Sequence, residues 1–491
     1  MLLTHSTLPR SNAQQRRSSG LYLLTGSVLV FMTFMRYSLP PLGWIAFAPF
    51  LAFLYDSVSM RRLLALLAVL AVAFVATVSK MATPEIPWAP PVPMFAVPLA
   101  MAYFVAVMLA ALAHHRLGTR WGIYAFPSTV VALGWIQYTF TPGSSWGALA
   151  HTQLDSVVLM QLVSLTGLGG LTFVVALGSS LAAAAWRQGV TAVRSDLVVF
   201  AILVTSISLY GQLRLGSVAP GPTVRVAGVV SPVTHKDFHA AFADIDTLRP
   251  FDDELFTRTA HAADLGARVV VWNEMATVVT ASGEKALTER GQAFAQQRGV
   301  MLVMAYGVAT SMRPFHDVNK YRLYLPDGTM ADEYVKRHPV PGDPDEVGTV
   351  HARIVRFGDI RFTGAICYDY GFPGIARDNA MDGADIALVP SSDWRGIDPE
   401  HAQMAVMNAV AVGLPMLRPV RAARSFATDQ FGHIVGSLPA NSSEGVLVVA
   451  LPSRRVPTLY TTIGESLPLA ALAFSLFVGL RLILRSVLSR R

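Results

Sequence analysis

Cysteine is all but missing from this sequence: Cys367 is the only one in 491 residues. No intrachain disulfide can form, and the fold must hold without that cross-link. Charge is scarce as well. Asp, Glu, Lys and Arg make up 14% of the chain against 53% apolar residues, and the mean hydropathy is +0.45. An ordinary globular chain is about 25% charged. The balance argues against a disordered polymer or a fully soluble enzyme and points to a membrane protein. Acidic residues are scarcest at the two ends: only Asp56, Glu85, Asp155 and Asp196 lie outside 215–465. That interval holds 28 acidic and 23 basic residues, net −5, and the remainder carries +12. The formal charge of +7 therefore belongs to the hydrophobic part, and it does not describe a nucleic-acid-binding surface.

Long apolar runs fill the positively charged part. They occupy roughly 21–37, 39–56, 63–79, 92–113, 121–140, 155–184, 196–213 and 466–485, each near or above the length that spans a bilayer. The apolar segments simply continue after the first, so a cleaved leader is not expected. Arg10, Arg16 and Arg17 precede the first segment. Arg61 and Arg62, Arg116 and Arg120, Arg187 and Arg194, and finally Arg490 and Arg491 fall in alternate loops or at the end. Placing these on the cytoplasmic side puts both termini inside and the acidic interval outside; Arg36 is the exception. The expected organisation is a cytoplasmic tail over 1–20, seven membrane helices over 21–213, an extracytoplasmic domain over 214–465, and a last helix with a basic tail over 466–491. Gly167, Gly169 and Gly170 predict a kinked or broken sixth span, with Gln161 bonded to a neighbouring helix.

Within 214–465, short β-branched runs alternate with helical patterns. Strands are expected at 223–230, 267–272, 300–308, 384–390, 416–420 and 445–451, with a hairpin over 351–367 turning at Gly358-Asp359. Helices are expected at 252–266, 284–299 and near 399–411. This alternation describes a layered α/β domain, in which reactive groups gather beyond the carboxyl ends of strands. Glu274 follows VVVW, Cys367 ends IRFTGAIC ahead of YDYGFPG, and Lys336 lies in DEYVKRHPVPGD. A carboxylate to take a thiol proton, a lysine to hold negative charge and a cysteine nucleophile form a complete set for acyl transfer or for cleavage of an amide or nitrile, with no metal or cofactor. Each residue also has a plainer reading. Cys367 would be a buried small hydrophobe, Glu274 an acid at a helix start, and Lys336 a solvated charge.

Several motifs share one resemblance. SLPPLGWIAFAPFLAFL (38–54), VVVWNE (269–274), YVKRHPVPGD (334–343), GAICYD (364–369) and DWRGIDPEHAQMAVMNAVAVGLPMLRPV (393–420) together resemble the bacterial apolipoprotein N-acyltransferases, membrane-embedded members of the nitrilase (carbon-nitrogen hydrolase) superfamily. The resemblance implies an α+β membrane protein with eight transmembrane helices and an αββα sandwich between helices 7 and 8. It implies Glu274 as general base, Lys336 as oxyanion-stabilising lysine and Cys367 as nucleophile, with Tyr368 and Asp369 in support. It implies a phospholipid acyl donor, a diacylated lipoprotein acceptor and no cofactor, in a multi-pass protein of the inner membrane with its catalytic domain on the periplasmic side. A monomer is expected.

Four departures bear on the site. Asn273 stands where the family has proline, and Asp369 where it has glutamate. Gly342-Asp343-Pro344-Asp345-Glu346 replaces Phe-Gly-Glu, leaving Asp343 and Glu346 as candidates for a second acid. Ser391-Ser392-Asp393-Trp394 replaces Asn-Asp-Ala-Trp, with Trp394 expected to face substrate. Rival readings are a membrane-tethered amidase or nitrilase, in which water resolves the thioester, and acylation of a different amine. A transporter or scaffold predicts ionisable residues deep in the spans, and almost none are there.

Overall fold

A computed structural model describes residues 12–84, 86, 91–217, 221–234, 237, 241, 244–440 and 442–488. Arg10, Arg490, Arg491 and half of the proline-rich stretch 84–93 lie outside the described residues. The apolar part folds as helices α1 (Asn12–Thr33), α2 (Ala48–Asp56), α3 (Met60–Val78), α4 (Pro91–Leu117), α5 (Thr119–Phe140), α6 (Val163–Gln188) and α7 (Arg194–Gly216). Among the described residues, five segments are long and apolar enough to cross a membrane: Met60–Met81, Met94–Leu117, Val163–Gln188, Val190–Gly216 and Ser466–Leu488.

The segment expected to span at 39–56 is not one helix. Pro40 and Pro41 open a single 3-10 turn, Pro40–Trp44, and only the nine residues of α2 are α-helical. At 1.5 Å per residue α2 reaches about 14 Å, half a bilayer core. Its burial replaces length: eight of the nine residues are buried, and Gln153 ties the turn down by accepting from Trp44 Nε1 (2.9 Å) and donating to Pro40 O (3.0 Å). The kink expected in the sixth segment is present. Gly167 adopts φ +61° inside α6, and a Cβ there would lie 2.5 Å from the Tyr460 ring, so both conformation and space require glycine. Gln161 donates to Phe431 O (2.9 Å), and its Oε1 accepts from Arg214 of α7.

The basic loops share one end of the bundle. Asp56 pairs with Arg187 and with Arg62 (3.6 Å), Gln188 donates to Thr119 (2.7 Å), and Arg485 donates to the Arg116 carbonyl. At the other end stands a sandwich of two sheets. Its strands are β1 (Thr223–Val229), β2 (Val269–Trp272), β3 (Val278–Thr280), β4 (Met301–Met312), β5 (Phe315–Tyr324), β6 (Met330–Val335), β7 (Val355–Phe357), β8 (Ile360–Gly364), β9 (Ile386–Leu388), β10 (Ser391–Ser392), β11 (Met416–Arg418), β12 (Val420–Arg421), β13 (Ser425–Thr428), β14 (Ile434–Leu438) and β15 (Val446–Pro452).

The first sheet runs β15-β1-β2-β4-β5-β6, with β3 also on β4; the second runs β14-β13-β11-β9-β8-β7. Each has a parallel centre (β1-β2-β4 and β8-β9-β11) and antiparallel edges. Alternation along the central strands fills the space between the sheets: Val226, Val269, Val271 and Val303 meet Phe362, Ile386, Leu388 and Leu417. The opposite residues of the first sheet, among them Val270, Trp272 and Leu302, pack under α8 (Arg249–Asp264) and α9 (Glu284–Arg298).

The second sheet's outer face meets α10 (Pro373–Met381) and α11 (Glu400–Val412), and α11 does not face solvent. Ala387, Val389 and Met416 of that sheet, Met404 and Met407 of α11, and Phe47, Phe74 and Leu171 of the membrane helices belong to one continuous apolar core. Layer order is thus helix, sheet, sheet, helix, with the last layer wedged against the bundle. The chain closes with α12 (Ser466–Leu488) beside α5.

Candidate active site

Glu274, Lys336 and Cys367 come from three separate strand ends and line one cleft of about 290 Å³. Glu274 follows β2, Lys336 follows β6, and Cys367 follows β8. All three are buried. Lys336 Nζ lies 2.9 Å from Glu274 Oε1 and 3.3 Å from Asp345 Oδ2. Asn319 of β5 holds the same two acids from the side, donating to Glu274 Oε1 (2.8 Å) and Asp345 Oδ2 (3.1 Å). Burial alone would lower the Lys336 pKa, but Glu274, Asp345 and Asp343 raise it well above the ordinary lysine value, so it is a fixed cation.

The cysteine sits in a strained turn. Its φ is +49°, its N–H donates to Pro390 O (2.8 Å), and its sulfur faces Ser392 O at 3.7 Å and Asp393 Oδ1 at 3.8 Å. A non-glycine residue at positive φ needs surrounding structure to hold it, and Asp369 supplies it. That carboxylate accepts from the backbone N–H of Ile366 (3.2 Å), Arg337 (3.4 Å) and His338 (2.8 Å), and from Tyr334 OH (2.8 Å). It joins the nucleophile turn to the lysine segment and is fully committed there. Burial first, then Glu274 and Asp393, raise the Cys367 pKa well above the usual thiol value; at rest the sulfur is a thiol.

The departures noted in the sequence acquire definite contacts. Asn273 is buried; its Oδ1 accepts from Ser231 N (2.7 Å) and its Nδ2 donates to Glu274 O (2.8 Å). The second acid on Lys336 is Asp345, which neither candidate reading named. Asp343 stands farther off at 3.9 Å, and Glu346 is exposed and does not line the cleft. Pro344 and Gly342 (φ +101°) turn the chain so that Asp345 forms a bridge with Asp317 of β5. Trp394 lines the cleft and donates to Met81 O at the end of a candidate span (2.8 Å). Tyr368 turns away, donating to Pro142 O just beyond α5 (2.8 Å).

Residues that sequence reasoning missed stand around these. Arg418, fully buried, gives Asp393 two bonds of 3.0 Å, and His401 Nδ1 lies 2.8 Å from the same carboxylate. Cys367, Asp393 and His401 have metal-ligand chemistry and their ligand atoms lie within 4.8 Å of one another, yet the Arg418 guanidinium occupies that space and excludes a second cation. Arg421 lines the cleft, bonded to Ser392 Oγ at 2.9 and 3.1 Å. Beside the cleft, and sharing Pro341 with it, an apolar groove of about 350 Å³ runs between α4 and α5 past Met94, Pro98, Met101, Leu133 and Ile136.

Comparison with known proteins accounts for both halves. The apolipoprotein N-acyltransferase N-terminal domain matches residues 26–181, and the carbon-nitrogen hydrolase family matches residues 233–459. The apolipoprotein N-acyltransferase of Bradyrhizobium diazoefficiens is 25% identical over 448 residues, 80% of each chain. That of Geobacter metallireducens is 24% identical over 477 residues, 88% of this chain and 89% of its own. Across both halves the chain is similar to the apolipoprotein N-acyltransferases. It is an acyltransferase, with a nitrilase-like catalytic fold joined to apolar helices. Among solved structures, an amidase from Nesterenkonia sp. is 20% identical and covers 51% of this chain and 96% of its own, with a TM-score of 0.40. In this chain the catalytic fold and the helices meet beside the cleft, through Trp394, Tyr368 and the Ser145 hydroxyl, which donates to Gly371 O (2.9 Å).

Proposed function

We propose that the protein transfers an acyl chain from a membrane phospholipid to the N-terminal amine of a diacylglyceryl-cysteine lipoprotein, through a thioester on Cys367. The observation that carries this reading is the position of the Glu274–Lys336–Cys367 cleft at the helix ends, beside an apolar groove sized for an acyl chain. Glu274 takes the thiol proton as sulfur attacks the ester carbonyl. Lys336 faces the oxyanion, the C–O bond breaks, and the lysolipid leaves with the proton. The acceptor amine then attacks the thioester, Glu274 receives its proton, and the C–S bond breaks to return the thiol. A thiol held protonated by burial requires proton transfer concerted with attack, so the base must be in place before the lipid arrives.

Orientation follows from charge. With the arginine-rich end cytoplasmic, the sandwich over 214–465 faces the periplasm from an inner-membrane protein. In the eight-span reading the half-length α2 and the turn before it count as the second span and the sandwich lies between the seventh and eighth. The test incubates the purified protein with labelled phospholipid and a diacylated lipopeptide and identifies products by mass spectrometry. Triacylated lipopeptide is expected. Release of free fatty acid with the lipopeptide unchanged would make the protein a hydrolase instead.

A further inference from the structure

Glu274 and Lys336 reach the cleft from the ends of first-sheet strands, whereas the contacts of the Cys367 sulfur come from the second sheet. Among the described residues Sγ makes two hydrogen bonds, to Ser392 O at 3.7 Å and to Asp393 Oδ1 at 3.8 Å. Neither goes to Glu274. Both acceptors sit on a braced segment. Ser391 N donates to Pro419 O (3.0 Å), Asp393 N donates to Arg421 O (3.1 Å), and the Arg421 side chain grips Ser392 Oγ. Arg418 holds the Asp393 carboxylate through two bonds of 3.0 Å, and His401 Nδ1 lies 2.8 Å from it. None of these three side chains is more than 2% exposed.

A thiol is a weak donor, and an ionised carboxylate is a strong acceptor for it. Asp393 is ionised: burial works against its charge, yet Arg418 and His401 hold its pKa well below the usual carboxylate range. It can therefore hold the S–H proton and cannot take it. Its charge also disfavours the thiolate, adding to burial and to Glu274 in raising the Cys367 pKa, while Lys336 and Arg418 pull the other way. The remaining charges stand farther back. Asp343 and Asp345 face the lysine, Asp317 faces Asp345, and Arg421 lines the cleft from β12.

We propose that Asp393 is a positioning residue that parks the Cys367 thiol: at rest the S–H points into the second sheet, and it turns to Glu274 only when a donor carbonyl occupies the cleft. A parked thiol is inert toward adventitious electrophiles and oxidants, which attack the thiolate. The turn to Glu274 rests on the acyl-transfer reading, whereas the parking rests on the sulfur contacts alone.

Cys367 is the only cysteine, so every thiol signal from the full-length protein in detergent is its own. The infrared S–H band of the wild type at pH 7 should lie at the lowered frequency of a hydrogen-bonded thiol. Absence of the band, meaning a resting thiolate, or the frequency of a free thiol would overturn the proposal whatever the variants do. Alkylation by iodoacetamide is then followed by intact mass from pH 6 to 10. Asp393→Asn should raise the S–H frequency and move the alkylation profile to lower pH, with the rate at pH 7 rising about tenfold for each unit of the move. Asp393→Ala combined with Arg418→Met removes the buried charge pair as a unit. It should move both readouts the same way, so misfolding of the single variant does not end the test. Ser392→Ala loosens the same segment without touching the acceptors of the thiol, and should lower the melting temperature with both readouts unmoved. An alkylation profile that stays in place in the folded Asp393 variants, or moves to higher pH, would refute the parking role. Neither readout involves lipid. A wild type with a parked thiol that forms no adduct from phospholipid would refute the acyl-transfer reading and leave the parking intact.

Discussion

The Cys367 sulfur lies 3.8 Å from Asp393 Oδ1, a carboxylate that cannot serve as its base. Burial works against that charge, but Arg418 and His401 hold the Asp393 pKa well below the usual carboxylate range. Arg418→Met would leave Asp393 buried with only His401 beside it. Removing one partner of a buried pair costs about 3–5 kcal/mol. We expect a large fall in the detergent melting temperature and loss of Cys367 acylation; unfolding at the wild-type temperature would contradict the buried pair.

Glu274 and Asp369 divide the acid–base and architectural work. Loss of a positioned general base costs about 10²–10⁴ in rate, so Glu274→Gln should abolish the single-turnover Cys367 adduct while melting close to wild type. Asp369→Asn faces its remaining N–H donors with an amide and should melt lower, with adduct formation slowed yet measurable. The reverse pattern would move the base to Asp369.

Asn273 supports Glu274 through a bond that proline at this position cannot make. Asn273→Ala leaves Ser231 N and Glu274 O buried without that partner, at about 1–3 kcal/mol each. Lower thermal stability and a fall in kcat larger than any change in KM are expected. An unaltered kcat would mean that Glu274 holds its position without this contact.

Stability should depend on pH through Asp317. Its carboxyl titrates near 3.9 when unfolded and at about 8 in the fold, so between these values the folded state binds more protons. Stability from this group therefore falls as pH rises across that window and is flat above it. Asp317→Asn removes the slope: its melting temperature relative to wild type should climb from pH 5 to pH 8. A difference that is constant over this range would contradict the assignment.

Much of this site was legible because two of its residues follow strands that end in buried runs. VVVW, buried on both faces, runs into Glu274, and IRFTGAI, whose strand is buried from Phe362 to Gly364, runs into Cys367. Lys336 was placed in a polar segment because its strands, FHDVNKYRLY and MADEYV, carry charge on both faces. There Lys320 is paired with Glu284 (2.6 Å) and Tyr321 donates to Asp332 (3.0 Å), so no alternation announces a strand. Asp393 and Arg418 are 25 residues apart, and only the packing of β10 and β11 beside one turn brings them together. The Pro40-Pro41 break between the first two segments is legible in the sequence, but hydropathy does not show that the residues before α2 form a 3-10 turn rather than α-helix.

One consequence concerns α11. Eleven of its thirteen residues are buried, because the second sheet lies on one side and α6 on the other. In a free-standing hydrolase that layer would present a polar face to water; here water never reaches it. The catalytic unit is therefore not a detachable cargo on an anchor. Expressed alone, residues 214–465 would expose the whole seam, and the fragment should be recovered as aggregate rather than as a small soluble amidase.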